Sequence, residues 1–102
     1  MRTQAVENKK TYLALKKRLE HIRFSMYNSS LYKTRRSIND VRRELSNIPY
    51  LSKVTKEEKE KIEYTERLLV SLFDNFYYLG AFDIEDKISK VIENIYLLSK
   101  MK

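Results

Sequence analysis

The segment Thr55–Lys100, TKEEKEKIEYTERLLVSLFDNFYYLGAFDIEDKISKVIENIYLLSK, reads as a helix, a turn and a second helix. Thr55 and Glu58 form a Thr-x-x-Glu capping box, in which each side chain can satisfy the other's free backbone N–H. Glu57, Glu58, Glu60 and Glu63 crowd the first turns, where the helix dipole favours negative charge. Ile62, Thr65, Leu69, Leu72, Phe76 and Leu79 then recur at steps of three and four, which places them in one helical stripe. Gly80 is the only glycine of the chain and is expected to close this helix as a left-handed C-terminal cap. Asp83 is expected to cap the next helix, with Glu85 and Asp86 in its first turn. Ile84, Ile88, Val91, Ile95 and Leu98 carry its stripe. Two helices joined this closely predict an antiparallel αα-hairpin over 55–100.

The first half repeats the pattern. An ungapped shift of fifty residues brings Leu19 onto Leu69, Ile22 onto Leu72, Met26 onto Phe76, Ile38 onto Ile88, Val41 onto Val91, Leu45 onto Ile95 and Ile48 onto Leu98. It also brings Asn28-Ser29-Ser30 onto the turn at Tyr78-Leu79-Gly80. One shift aligns both stripes and the turn, which points to duplication of a structural unit; an ordinary four-helix protein is the plainer reading. Helix one is expected to start within 3–10 and to reach Tyr27, with Tyr12, Leu15, Leu19, Ile22 and Met26 facing inward. Helix two is expected from Ser30 to Ile48, with Leu31, Ile38, Val41, Leu45 and Ile48 inward and Pro49 ending it. The expected fold is therefore all-α: a single domain, 1–102, of two tandem αα-hairpins, 3–48 and 55–100, packed about a pseudo-two-fold axis. Residues 49–54 connect them. Leu68, Val70, Phe73 and Tyr77 widen the apolar face of helix three, which marks it as the centre of the fold or an oligomer contact. Ile92 and Tyr96 widen that of helix four.

Charge is unevenly spread. Residues 1–50 hold twelve Lys/Arg against four Asp/Glu, a net +8, and residues 51–102 hold nine against ten, a net −1. Lys33, Arg35, Arg36, Arg42 and Arg43 make a broad basic skirt on helix two, suited either to solvation or to phosphate contact without base readout. These helices are too long for a helix-turn-helix reader. The chain has no cysteine, so neither disulfides nor thiolate chemistry, and no apolar run of the roughly 20 residues a membrane span needs. No glycine-rich phosphate loop is present. His21, the only histidine, reads as a surface residue, and Asp83, Glu85 and Asp86 suit a helix start better than a metal. No catalytic residue, metal, cofactor, membrane or small-molecule substrate is expected; the chain reads as a non-enzyme.

Its rings are the other unusual feature. Phe76 reads as core, whereas Phe73, Tyr77, Tyr78 and Phe82 flank a turn, and Leu13 and Phe24 point away from the stripe of helix one. These are either turn packing and isolated surface apolars or a contact surface, for which tyrosine is well suited. The leading expectation is a protein–protein interaction module. A peptide or partner helix would lie in a seam between the hairpins bordered by Phe24, Tyr27, Tyr32, Phe73, Tyr77, Tyr78 and Phe82. Non-specific nucleic-acid binding through the basic hairpin is the alternative, and homo-oligomerisation through helix three is a third.

The length, the Lys/Ile/Tyr-rich composition and the doubled unit 12–48 and 62–98 resemble small proteins of hyperthermophilic archaeal filamentous viruses, of the Acidianus filamentous virus type. The resemblance implies a soluble viral accessory protein in the host cytoplasm. It rests on no motif and implies no functional residue.

Overall fold

The computed structural model describes residues 2–101, with side chains described from Asn8 onward. Four helices run α1 Arg2–Ser25, α2 Leu31–Leu51, α3 Lys56–Asp74 and α4 Ala81–Lys100, and no strand occurs among the described residues. Single turns of 3-10 helix, Met26–Asn28 and Phe76–Tyr78, follow α1 and α3. Each helix packs against two neighbours, α1 against α2 and α4, and α3 against α2 and α4. This is an up-down-up-down bundle, 42 × 20 × 19 Å. Its long axis matches the roughly 36 Å that a 24-residue helix spans.

The core is one cluster fed by all four stripes: Leu19, Ile38, Leu45, Leu69, Leu72, Ile88 and Ile95 are fully enclosed. Burial recurs at the sequence shift. Each buried residue from Asn8 to Ile48 has a buried residue fifty positions later, including the polar pair Asn8 with Glu58 and the mixed pair Leu15 with Thr65. Thr65 is accommodated because its hydroxyl donates to Lys61 O at 2.7 Å. Among the described residues no buried polar side-chain atom lacks a partner.

The capping box at Thr55 forms in both directions: Thr55 Oγ1 accepts from Glu58 N at 3.0 Å, and Glu58 Oε1 accepts from Thr55 N at 3.5 Å. The other Glu58 oxygen, Oε2, accepts from the Tyr12 hydroxyl at 2.6 Å, so this cap also ties α3 to α1. Desolvation, reinforced by that carboxylate, pushes the Tyr12 phenol well above its ordinary value. Beside it, Asn8 donates to Lys53 O at 3.2 Å and accepts from Ser52 Oγ at 2.7 Å, holding the connector against α1.

Several local expectations are corrected. Gly80 is not a left-handed C-cap; at φ −75° and ψ 163° it is the extended N-cap of α4, and Ile84 N donates to its carbonyl at 3.0 Å. Asp83 therefore falls in the first turn of α4 and does not cap it. The 3-10 turn that buries Phe76 lets the chain reverse through ordinary backbone angles, and no described residue has positive φ. Helix two runs through Pro49 to Leu51. The proline falls in the last turn, where its missing N–H costs one bond, and Ser52 N closes the helix on Ile48 O at 3.0 Å. Leu31 is exposed, and Thr34 takes the inward position at the start of α2. Helix three is not central. All four helices are peripheral, and α4 has the widest buried face, adding Ile92 and Ser99 to its stripe. Tyr96 stays at the surface.

Candidate interaction surface

Alternating helix direction brings the two turns to the same end of the bundle. Both are built alike. Ser25 Oγ donates to His21 O at 2.8 Å, and fifty residues later Asn75 Nδ2 donates to Ser71 O at 2.9 Å. These side chains occupy carbonyls at the helix ends and favour a tightened last turn. Met26 and Phe76 then plug the core, so the residues that follow them, Tyr27-Asn28 and Tyr77-Tyr78, face solvent.

The seams between the hairpins are closed at this end. On the α1–α4 side, the Tyr27 hydroxyl donates to Glu85 Oε2 at 2.6 Å, and Arg23 Nη1 donates to Ser89 Oγ at 3.0 Å. The hydrogen bond to the carboxylate is the main cause that raises the Tyr27 phenol above its ordinary value. On the α2–α3 side, Arg35 Nε donates to Phe73 O at 3.0 Å. Its guanidinium lies 3.6 Å from the Phe73 ring centroid and 5.2 Å from that of Tyr77. Tyr77 also meets Phe76 edge-on at 5.7 Å. Tyr27 and Tyr77, fifty residues apart, thus meet Glu85 and Arg35, also fifty apart: one aromatic position with opposite charges as its partner.

Of the seven rings expected to border a seam, Tyr27, Phe73 and Tyr77 sit on the seam rims and help to close them. Phe24, Tyr32, Tyr78 and Phe82 project from the turn end and make no hydrogen bond or ring contact with the described residues. Phe24, Tyr78 and Phe82 are 82%, 89% and 83% exposed. The seven lie toward the turn end of the bundle, as does Leu31, rather than as the walls of a groove. A cleft of about 650 Å³ does lie between α2 and α3, but at the opposite end, beside Pro49, Tyr50, Val54 and Lys59.

The basic skirt of α2 divides. Arg35 is engaged with α3, and Arg42 bonds Asn39 Oδ1 at 2.9 Å and reaches Glu66 at 3.7 Å. Lys33, Arg36 and Arg43 are exposed, with no carboxylate within ion-pair distance among the described residues. A groove between α1 and α2, invisible to the reading of either helix alone, gathers Lys33 and Arg36 with Lys17, Arg18 and His21. No three metal-ligating side chains converge among the described residues, and no helix is long and apolar enough to cross a membrane. No family model, no curated protein and no solved structure matches the chain.

Proposed function

We propose that the chain is a non-enzymatic protein-interaction module whose contact face is the aromatic turn end, engaging a peptide segment or partner helix. One observation carries the reading: Phe24, Tyr78 and Phe82 stand more than four-fifths exposed at the turn end of the bundle, which Leu31 and Tyr32 share. Isolated surface apolars are ordinary, but several large exposed rings at one end of a bundle mark a contact site. Each ring offers roughly 150–250 Å², so the group can supply most of the roughly 800 Å² per partner of a standard interface. The closed seams, held by a continuous core and by Tyr27–Glu85 and Arg35–Phe73, favour the end over a groove between hairpins.

The two hairpins act as a tandem repeat packed about a pseudo-two-fold axis. The recurrence of burial at fifty residues, the matched turns and the matched seam contacts support this. Under that symmetry each turn contributes half of the aromatic face. The test is a triple variant, Phe24→Ser, Tyr78→Ser and Phe82→Ser, used as bait beside the unchanged protein in cross-linking pull-downs from the native cell extract. Each substitution touches no core residue, so the variant melts as the parent does, and the partner captured by the parent is lost. Capture of the same partner by both baits would refute the assignment.

A further inference from the structure

From the α1–α2 groove we infer a second site, one that binds the phosphodiester backbone of nucleic acid without reading its bases. Two contiguous clefts, of about 450 and 300 Å³, share His21, Ile22 and Ser37 and run between the helices of the first hairpin. Lys17 and Arg18 line one, and Lys33 and Arg36 the other. Asp40 is the sole carboxylate among the residues lining them. Arg18 is held by Glu44, but Lys17, Lys33 and Arg36 have no carboxylate within ion-pair distance among the described residues. The hydroxyls of Ser29 and Ser37 on the groove wall make no hydrogen bond to the described residues, which leaves them as donors for anionic oxygens.

These charges are not demanded by the fold. Fifty residues later, where the backbone repeats the same turn and helix start, Lys33 is replaced by Asp83 and Arg36 by Asp86. Asp86 there is paired with Lys90 at 3.5 Å. The same scaffold thus carries free cations in the half of the chain with net +8 and mixed, partly paired charges in the half with net −1. A linear array of unpaired cations flanked by hydroxyl donors, with no aromatic platform among them, suits a repeating phosphate and not a base.

From Lys17 to Ser25 the groove follows α1 for roughly 12 Å, long enough for about three phosphates of one strand at about 3.4 Å of axial rise each. Three neutralised phosphates give a slope of about −2.7 for log affinity against log salt on duplex DNA, or roughly a 40-fold loss between 50 and 200 mM.

The experiment is fluorescence anisotropy with a labelled random-sequence duplex across that salt range, using the full chain. The double variant Lys33→Asp with Arg36→Asp copies the protein's own second hairpin. The control variant, Lys56→Glu with Lys59→Glu, makes the same change in net charge on exposed positions at the far end of the bundle. The groove variant is expected to bind at least tenfold more weakly at 50 mM salt with its slope cut to about −1, whereas the control keeps the parental slope. Circular dichroism checks the fold, and if the aspartates disturb it, Lys33→Gln with Arg36→Gln decides. No binding by the parent at 50 mM overturns the inference. So does an equal loss in groove and control variants, which would assign the effect to net charge. Equal competition by polyglutamate of matched charge would also overturn it, since that would remove the preference for phosphate.

Discussion

Tyr12→Phe isolates the one buried, charged hydrogen bond that joins the two hairpins among the described residues. The substitution deletes an oxygen and leaves the ring, so no cavity opens around a side chain that is 1% exposed. What it removes is the donor at 2.6 Å from Glu58 Oε2, on a carboxylate that is itself buried. A hydrogen bond to a charged group is worth about 1.5–3 kcal/mol, and the stranded acceptor keeps its desolvation penalty. Glu58 retains Thr55 N on its other oxygen, which limits the damage. The expected cost is about 2 kcal/mol at neutral pH, or a fall in Tm of roughly 8–16 °C for a domain of this size. Urea unfolding followed by circular dichroism measures it.

The pH dependence supplies an independent check. Burial and Glu58 raise the folded phenol above the ordinary tyrosine value of 10.0. Below pH 10 both folded and unfolded states hold the proton, and the stabilisation is complete. Above it the unfolded state releases the proton while the folded state retains it, so stability drops by about 1.4 kcal/mol per pH unit. Tyr12→Phe has no such proton to lose, and its stability gap from the parent narrows as pH rises from 9 to 11. A gap under about 0.5 kcal/mol at pH 7 would refute the energetic assignment, and a gap that stays constant across pH 9–11 would refute the electrostatic one.

Two further substitutions probe the local structure. Gly80→Ser gives α4 the cap that Ser30 already gives α2, where Ser30 Oγ accepts from Lys33 N at 3.1 Å. The added Cβ meets only Asp83 Oδ2 at 4.0 Å, φ is negative, and the unfolded chain loses freedom, so stabilisation of about 0.5–1 kcal/mol is expected in the same urea assay. A destabilised protein would contradict that account. Arg35→Ala removes a hydrogen bond and a stacked cation from the α2–α3 seam and is expected to cost about 1–3 kcal/mol, while Arg36→Ala, one residue on, stays within about 0.5 kcal/mol. Equal effects of the two on the thermal melt would show that Arg35 is not structural.

The stripes, the hairpins and the capping box were readable because they are local. A helix of 3.6 residues per turn writes its inward face into a single segment, and Thr55 and Glu58 lie three residues apart. The errors cluster where local rules competed. Gly80 suggested a left-handed cap, but the 3-10 turn anchored by Phe76 reversed the chain earlier and left the glycine to start α4. Pro49 suggested a stop, yet a missing N–H in the last turn costs little. Tyr12 and Glu58 were both noted, one as core and one as cap, and no local pattern announced that they meet.

Periodicity thus suffices for four helices, since each depends on residues near one another in the chain. Which rings share a surface, and which cations stay free, depends on partners dozens of residues away. The sequence places Arg35 and Arg36 on helix faces about 100° apart but does not say what each face meets: one is stacked on Phe73 and the other faces the α1–α2 groove. Helices that alternate in direction bring both turns to one end, and with them Phe24, Tyr32, Tyr78 and Phe82, while their packing closes the seam there.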